Sequence, residues 1–255
     1  MSKLLPADNV THGIDHASTY KLSLFNWRNV VHVLRLKQIL TLIKTSNQDK
    51  SETYIEIGCS NGYIANLVDN MSLFSNILGF DYDDENILVA RQRYRNIEFS
   101  KLDLNLPFEA MIKGDVVSCF ETLEHVGDMD AAVQGILSLT KPGGRIILSV
   151  PIEVGSIGIF KYLAKVLVYR YSDLDELPRQ PSKWQYFKAL LAGDISSYRN
   201  DEPRREWGTH FGFDYRRLET IVKKYGASFT SYSYFTTRII SITNRNLAVS
   251  HSPSQ

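Results

Sequence analysis

The chain has 255 residues, of which 44% are hydrophobic and 22% are charged, and its formal net charge is +1 at pH 7. This length and composition fit one well-buried globular domain and exclude an intrinsically disordered chain. A charge so close to zero gives no general attraction to polyanions, so we expect no nucleic-acid partner. Since the sequence has no run of about 18 apolar residues, we also expect no stable insertion into a membrane.

Residues 1–50 predict an N-terminal helical cap on the domain. Apolar side chains between Leu22 and Ile43 mostly recur at the spacing of a helix, whereas residues 1–20 are polar and mixed. No basic-plus-apolar leader opens the sequence, and it contains no run of about 18 apolar residues. We therefore expect a cytoplasmic protein.

Short apolar strands and helices alternate through the middle of the chain. This alternation predicts parallel strands with helices on both faces of the sheet, because a helix usually makes the crossover between parallel strands. The sequence between residues 142 and 144, Pro-Gly-Gly, predicts a turn before the fifth strand. The predicted strands are Tyr54–Ile57, Asn76–Phe80, Ile97–Ser100, Asp115–Phe120 and Arg145–Val150, and the predicted helices are Tyr63–Met71, Glu85–Arg95 and Asp130–Leu139.

Residues 152–206 interrupt this alternation. They contain two helical stretches, Ile157–Tyr171 and Lys183–Leu191, between polar loops that carry prolines. Because they follow the fifth strand at the edge where open α/β sheets bind ligands, we expect a lid insertion above the ligand. The first stretch could form a substrate wall, a dimer surface or an interfacial helix, and we favour a wall or the surface of a homodimer.

The last part of the chain predicts a helix and a hairpin. Tyr215–Tyr225 is amphipathic and is followed by Gly226, which suits a helix C-terminus. Ala227–Phe235 and Arg238–Thr243 are β-rich runs joined by a short connection. We therefore predict a single α/β domain over residues 1–255, with a doubly wound, mostly parallel seven-stranded, Rossmann-like sheet and an antiparallel C-terminal hairpin strand.

A glycine-bearing turn between the first strand and its helix is the most informative string. It reads Glu-Ile-Gly-Cys-Ser-Asn-Gly over residues 56–62. Glycine there allows a sharp bend and a close approach of a ligand to the backbone. Dinucleotide enzymes need a third glycine where Tyr63 stands, and a P-loop needs a Gly-Lys-Ser/Thr that is absent.

Cys59 and Cys119 are the two cysteines of the chain, and they form no CxxC pattern. This spacing predicts neither a disulfide nor a zinc site. We read both as small buried hydrophobic residues and expect no metal.

The glycine-bearing string resembles motif I of the class I S-adenosylmethionine-dependent methyltransferases, E/D-x-G-x-G-x-G, with Ser60 in place of the middle glycine. Four further segments resemble the family's later motifs in the family's order, and the resemblance runs from about residue 52 to residue 151. It implies S-adenosylmethionine as the cofactor and a small molecule or a glycan precursor as the substrate. The four segments are Gly79–Asp83, Leu102–Leu104, Asp115–His125 and Lys141–Leu148.

The resemblance assigns four positions to the methionine part of the cofactor. Gly58 and Ser60 should pass beneath it. Glu56 should orient the turn and help to bind the ammonium group. The Phe120 backbone, at the end of the fourth strand, should accept a hydrogen bond from that ammonium.

Four other positions are assigned to the nucleoside part. Asp81 should accept hydrogen bonds from the ribose hydroxyls, and Tyr82 should pack on the adenine face. Asp103 should contact the adenine edge through its side chain, and Leu104 through its backbone N–H.

His125 is the candidate catalytic base. It lies just past the fourth strand, and imidazole can exchange a proton near neutral pH, which a hydroxyl acceptor would need. The alternative is a histidine that packs on or caps the following helix. Glu121 and Glu124 could hold this histidine, touch the substrate or face solvent, and His210 could lie near the substrate.

Several functions remain open from the sequence. The leading hypothesis is O-methylation of a small molecule or of a glycan sugar. N- or C-methylation of a metabolite would not need a base, and a catalytically silent relative would only bind the cofactor. An NAD-dependent oxidoreductase is disfavoured by Tyr63.

Overall fold

A seven-stranded sheet forms the centre of the protein in a computed structural model, which describes residues 30–46, 52–168, 173–199 and 207–244. The strands are β1 (Thr53–Ile57), β2 (Asn76–Asp81), β3 (Glu98–Lys101), β4 (Gly114–Phe120), β5 (Thr140–Pro151), β6 (Ser228–Tyr234) and β7 (Thr237–Thr243). Their order across the sheet is β3-β2-β1-β4-β5-β7-β6. The first five run parallel, while β7 pairs antiparallel with both β5 and β6. The predicted fold class is confirmed.

Seven α-helices cover the sheet or follow it in the described residues. They are α1 (Val30–Ser46), α2 (Tyr63–Asp69), α3 (Asp84–Arg93), α4 (Met129–Ser138), α5 (Gly155–Leu163), α6 (Lys183–Ala192) and α7 (Tyr215–Lys224). Each overlaps a stretch that is predicted to be helical. The first insertion helix ends at Leu163, well before the predicted end at Tyr171, and α1 is described only from Val30. None of these helices has the length and apolar character needed to cross a bilayer.

Capping side chains fix where two of these helices begin. The Asp83 carboxylate accepts the backbone N–H groups of Glu85 and Asn86 at the start of α3. Asp214 accepts the N–H of Arg216 at the start of α7. Each bond satisfies a donor that the first helical turn leaves without an internal partner, so both aspartates serve the fold.

Two hydrophobic layers enclose the sheet. Val133 of α4 and Leu218 of α7 pack on one face, and Ile43 of α1 and Ile87 of α3 pack on the other. All five residues of β1 are buried, as expected for a parallel strand covered on both sides. The opening strand and the turn after it are therefore held rigidly at the centre of the sheet.

The turn predicted at residues 142–144 does not precede the strand but lies within β5. The strand begins already at Thr140, and its pairing with β4 shifts register between Gly114 and Val116. Gly143 takes a positive φ of 81° there and donates its N–H to Asn244. The Pro-Gly-Gly string therefore forms an irregularity within a long strand.

The insertion is helical, as expected, and it has a hydrophobic cluster of its own. Its first helix ends at Leu163 and continues as a π-helical turn over Ala164–Val168. Tyr162 and Tyr186 pack together in its cluster, with Phe211 from the segment that follows the insertion. Residues 169–172 and 200–206 of the insertion, and residues 1–29 and 47–50 of the predicted cap, lie outside the described residues.

Candidate active site

A cavity of about 630 Å³ opens at the carboxyl ends of β1, β2 and β4. Open α/β sheets bind ligands at this edge, on either side of the strand at which the order reverses. The structure brings all nine sequence-predicted site residues to the wall of this cavity. They are Glu56, Gly58, Ser60, Asp81, Tyr82, Asp103, Leu104, Phe120 and His125.

The turn after β1 approaches the next loop too closely for any side chain at Gly58. This residue has a φ of 71°, and a Cβ added to it would lie 2.0 Å from the Thr122 hydroxyl oxygen. The backbone N–H groups of Gly58 and Cys59 both donate to the Phe80 carbonyl, which ties the turn to β2. Glycine is required here for both its conformation and its lack of volume.

Asp81 braces the same turn from the neighbouring strand. Its carboxylate accepts the N–H of Ser60 at 2.7 Å and the N–H of Asp83 at 3.0 Å. Burial raises the pKa of Asp81, although these hydrogen bonds oppose the shift. Each carboxylate oxygen has a second lone pair, so the brace leaves room for the predicted ribose contact. Sequence reasoning missed the bracing role because it depends on the left-handed backbone of Ser60, whose φ is 48°.

Glu56 lies beneath the turn with part of its carboxylate unpaired. The side chain is buried and accepts a hydrogen bond from the Ala65 backbone, while Oε2 has no partner among the described residues. Burial raises the pKa of Glu56 well above its usual value, and the nearby charge of Asp81 adds to the shift. A buried, unsatisfied carboxylate at this point suits a cationic ligand group.

The predicted nucleoside positions lie along one side of the cavity. The Tyr82 side chain is 55% exposed while it lines the wall, as expected of a ring that a planar ligand would cover. Asp103 is buried and accepts the backbone N–H and the side-chain amide of Asn105. Leu104 is buried next to it. These contacts shape the wall, and the adenine roles of Tyr82, Asp103 and Leu104 stay predictions.

His125 lies at the opposite end of the cavity, where two hydrogen bonds to the backbone of Trp207 hold it. Its Nδ1 lies 2.7 Å from the Trp207 carbonyl oxygen, and the Trp207 N–H donates to the His125 carbonyl. Since a carbonyl can only accept, Nδ1 carries the proton in the neutral ring and Nε2 keeps its lone pair. The ring is therefore fixed in the tautomer that can accept a proton or bind an ion through Nε2.

Glu124 is completely buried beside this histidine. Its exposed fraction is 0%, and neither carboxylate oxygen has a hydrogen-bond partner among the described residues. Burial raises the pKa of Glu124 well above its usual value, and the charge of Glu121 adds to the shift. The solvent-facing role that the sequence left open for Glu124 is wrong.

Glu121 serves a different purpose from Glu124. It adopts a left-handed φ of 48°, and its carboxylate accepts from Arg35 of α1 at 2.7 Å and from the Ser149 hydroxyl at 3.1 Å. This ion pair fastens the N-terminal helix to the ends of β4 and β5. Arg35 and Glu121 both line the cavity.

His210 completes this end of the cavity. The centres of its ring and the His125 ring are 5.1 Å apart. Burial lowers the pKa of His210 to about 3, and a proton on His125 or the positive charges of Lys165 and Lys161 would act in the same direction. His210 is therefore neutral at physiological pH and offers a lone pair rather than a charge.

Comparison with known proteins gives a match to the methyltransferase-domain model over residues 28–227. The chain belongs to this family. A ubiquinone biosynthesis O-methyltransferase from Coxiella burnetii is 26% identical over 125 residues, which are 48% of this chain and 51% of the relative. A probable S-adenosylmethionine-dependent methyltransferase from Mycolicibacterium smegmatis is 30% identical over 100 residues, 38% and 37% of the two chains. The chain therefore spans about half or less of the curated relatives it matches.

Solved methyltransferase structures share the fold. Magnesium protoporphyrin IX methyltransferase from Synechocystis, solved with bound S-adenosylhomocysteine, aligns with a TM-score of 0.58 and 15% identity and covers 89% of this chain and 92% of its own. The N-methyltransferase NodS from Bradyrhizobium japonicum aligns with a TM-score of 0.53 and 16% identity and covers 85% and 97%. At these identities the likeness concerns the fold alone.

The described residues of this methyltransferase-family chain fit the cofactor that the family implies. The unpaired oxygen of Glu56 would accept a hydrogen bond from an ammonium group, the turn at Gly58 leaves a space that a Cβ would fill, and Asp81 lines the cavity on the neighbouring strand, where it would hold a ribose. When bound, S-adenosylmethionine supplies a methyl group that is already activated on sulfur. The remaining chemistry belongs to the other end of the cavity.

Sequence reasoning missed Arg35 and Arg199 at that end, and Arg199 has the larger part in its geometry. The buried guanidinium of Arg199 donates to the backbone carbonyls of Glu124 and Thr209 and lies 4.7 Å from the centre of the Trp207 ring. Burial lowers the pKa of Arg199 to about 10. Arg199 thus positions the 207–210 segment over His125. No motif could have revealed it, because it lies in the irregular end of the insertion.

The insertion reaches the cavity only indirectly. No described residue between 152 and 199 lines the wall, whereas Trp207, Gly208 and His210 do. The expected wall role of the 157–171 stretch is therefore wrong for the part that is described, and Arg199 transmits the support of the insertion to the site.

Proposed function

We propose that this protein transfers the methyl group of S-adenosylmethionine to a hydroxyl oxygen of a small molecule or of a glycan sugar. The family membership, the cofactor fit at Glu56, Gly58 and Asp81, and the cavity size support methyl transfer. A volume of about 630 Å³ is that of a small-molecule site. The likeness to a ubiquinone biosynthesis O-methyltransferase supports oxygen as the acceptor atom.

The observation that carries the choice of a hydroxyl is the fixed tautomer of His125. A hydroxyl is a weak nucleophile until it loses its proton, whereas a neutral amine needs no base to begin the attack. The Trp207 carbonyl accepts the Nδ1 proton of His125, so Nε2 keeps its lone pair, and His125 lines the cavity in which an acceptor would bind. In the metal-free protein this lone pair takes the hydroxyl proton.

The transfer then needs only alignment and proton removal. The acceptor oxygen bonds to the methyl carbon as the carbon–sulfur bond breaks, its electron pair stays on sulfur, and the hydroxyl proton passes to Nε2 of His125. Alignment alone can supply about 7–11 kcal/mol in favourable cases. The rigid turn at Gly58 would hold the methyl donor in place. The two hydrogen bonds between Trp207 and His125 hold the base that receives the hydroxyl proton.

The test is a methyl-transfer screen with pairs of acceptors that differ only in hydroxyl against amine, such as phenols and anilines or sugars and amino sugars. With a radiolabelled methyl donor, we expect label on the hydroxyl members. His125→Gln, which keeps a hydrogen-bonding side chain but lacks a base, should lose most of this transfer while still binding S-adenosylhomocysteine.

Three outcomes would contradict the proposal. Label found only on the amine members would favour the N-methyltransferase alternative. Cofactor binding without transfer to any acceptor class would favour a silent cofactor-binding protein. Near-normal turnover of His125→Gln would remove the base role.

A further inference from the structure

Three side chains of metal-ligand type converge at the acceptor end of the cavity. Glu124, His125 and His210 each offer one ligand atom, and these atoms all lie within 4.8 Å of one another. They come from two segments far apart in the chain, so their meeting is a product of the fold. The spacing of the cysteines, from which the sequence predicted no metal, says nothing about this site because none of its side chains is a cysteine.

A second, independent observation concerns the environment of Glu124. Its carboxylate is fully buried, and neither oxygen has a hydrogen-bond partner among the described residues. Two cationic side chains act on Glu124 from nearby, but Arg35 donates to Glu121, and Arg199 donates to the backbone carbonyls of Glu124 and Thr209. A buried carboxylate without a partner is costly unless it is protonated or faces a cation.

The setting of His125 matches that of a metal ligand. Histidines that bind metal commonly donate their other ring N–H to a backbone carbonyl, which fixes the tautomer and the direction of the lone pair. His125 does this with Trp207, and its Nε2 lies 4.0 Å from Oε1 of Glu124. His210, which is neutral, can present a second imidazole lone pair.

We propose that Glu124, His125 and His210 bind a divalent first-row transition-metal ion at the acceptor end of the cavity. Two imidazoles and one carboxylate form a mixed nitrogen and oxygen set, which suits such ions better than Mg²⁺ or Ca²⁺. Three protein ligands with the cavity on the remaining side leave a position for an exogenous oxygen.

The ligands must draw together somewhat to hold the ion. Metal–ligand bonds of about 2.0–2.2 Å place neighbouring ligand atoms roughly 3–3.5 Å apart. The separations of up to 4.8 Å exceed this by about the distance that a small rotation of the side chains covers. The clamp on His125 leaves Glu124 and His210 as the side chains that adjust.

Only the role of the ion depends on the proposed methyl transfer. With an ion on Nε2, His125 cannot also take a proton. An acceptor hydroxyl on the open position loses its proton to water instead, because a bound cation lowers the pKa of an oxygen ligand. The same lone pair therefore activates the hydroxyl in the metal-free and the metal-bound protein by different means.

Ion binding is measured on the full chain after chelator treatment, without cofactor or acceptor. Titration with Mn²⁺, followed by the electron paramagnetic resonance signal of the free ion, should show one equivalent taken up. Co²⁺ should give visible absorption bands of a site with nitrogen ligands. Excess Mg²⁺ should compete poorly.

Variants tie this uptake to the proposed ligands. Glu124→Gln and His210→Ala should each weaken Mn²⁺ binding at least tenfold, and the exposed Glu98→Gln should leave it unchanged. Binding of S-adenosylhomocysteine by every variant reports that the fold is intact.

Two results would overturn the site. One is that the wild type takes up none of Mn²⁺, Co²⁺ or Zn²⁺, in which case a protonated Glu124 explains the burial. The other is uptake that both ligand variants retain, which would place the ion elsewhere. Neither result bears on methyl transfer, which the acceptor screen tests separately.

Discussion

The two ends of the cavity are built in different ways. At the cofactor end, the backbone does most of the work: Gly58 and Ser60 take left-handed conformations, and one side chain, Asp81, braces them. At the acceptor end, side chains from α1, from residues 121–125, from Arg199 and from residues 207–210 meet. The cofactor end is visible in the sequence as a contiguous motif, whereas the acceptor end is assembled from segments that are far apart in the chain. This difference lets a fold keep its cofactor while its substrates vary.

Removing the His125 side chain should have the largest effect and should fall on one end only. His125→Ala is expected to reduce turnover by about 10²- to 10⁴-fold, the usual range for a lost proton acceptor. The affinity for S-adenosylhomocysteine should stay within about twofold of wild type, because His125 does not touch the turn at Gly58. Steady-state kinetics measures turnover, and calorimetry measures the affinity for S-adenosylhomocysteine. An equal loss of turnover and affinity would show that the two ends of the cavity do not act separately.

A side chain at Gly58 should damage the other end. Gly58→Ala places a methyl group against Thr122 and forces a positive φ on alanine. We expect S-adenosylhomocysteine to bind at least about 100-fold more weakly, since a clash and strain of a few kilocalories per mole both act on the turn.

Gly143→Ala is the matched control for this prediction. Gly143 also has a positive φ, but a Cβ there would meet nothing within 4 Å. This variant should show only the conformational cost, about 1–2 kcal/mol in unfolding free energy, with normal affinity. If Gly58→Ala and Gly143→Ala bind S-adenosylhomocysteine with equal affinity, the close packing of the turn at Gly58 does not determine cofactor binding.

A change at the opposite edge of the sheet should touch neither end. Asp115 accepts bonds from Lys141 and from the backbone N–H groups of Glu52 and Thr53. Burial alone would raise the pKa of Asp115, but the Lys141 bond and the two backbone bonds outweigh it and hold the pKa below its usual value.

The sign of the resulting pH dependence follows from that direction. A carboxyl whose pKa is lower in the folded state stabilises it above the unfolded pKa, near 4, and loses this contribution as the pH falls. Asp115→Asn should therefore cost on the order of 1 kcal/mol at pH 7, as for a few partly exposed hydrogen bonds. Urea unfolding at several pH values should show this difference shrinking below about pH 4, and a difference that grows there would contradict the assignment.

Most of the fold, and the residues that meet at the cofactor end, could be predicted from the sequence because both depend on short contiguous patterns. Strand, turn and helix follow one another around Gly58, and Asp81 ends the next strand, so spacing alone brings them to one edge. The acceptor end could not be read this way. The partner of His125 is a backbone carbonyl 82 residues away, and the burial of Glu124 depends on Arg199 and on the packing of the insertion. Composition and spacing carry no trace of such contacts.

Calorimetric titration of S-adenosylhomocysteine into wild type, Asp81→Asn and Asp83→Asn tests the central claim most directly, which is that the braced turn after β1 holds the cofactor. An asparagine at position 81 cannot accept both backbone N–H groups and a ribose as a carboxylate does, so we expect affinity to fall about 10- to 100-fold. Asparagine at position 83 still caps α3, so affinity should not change. Equal affinity in wild type and Asp81→Asn, or binding of NAD in place of S-adenosylhomocysteine, would contradict the account.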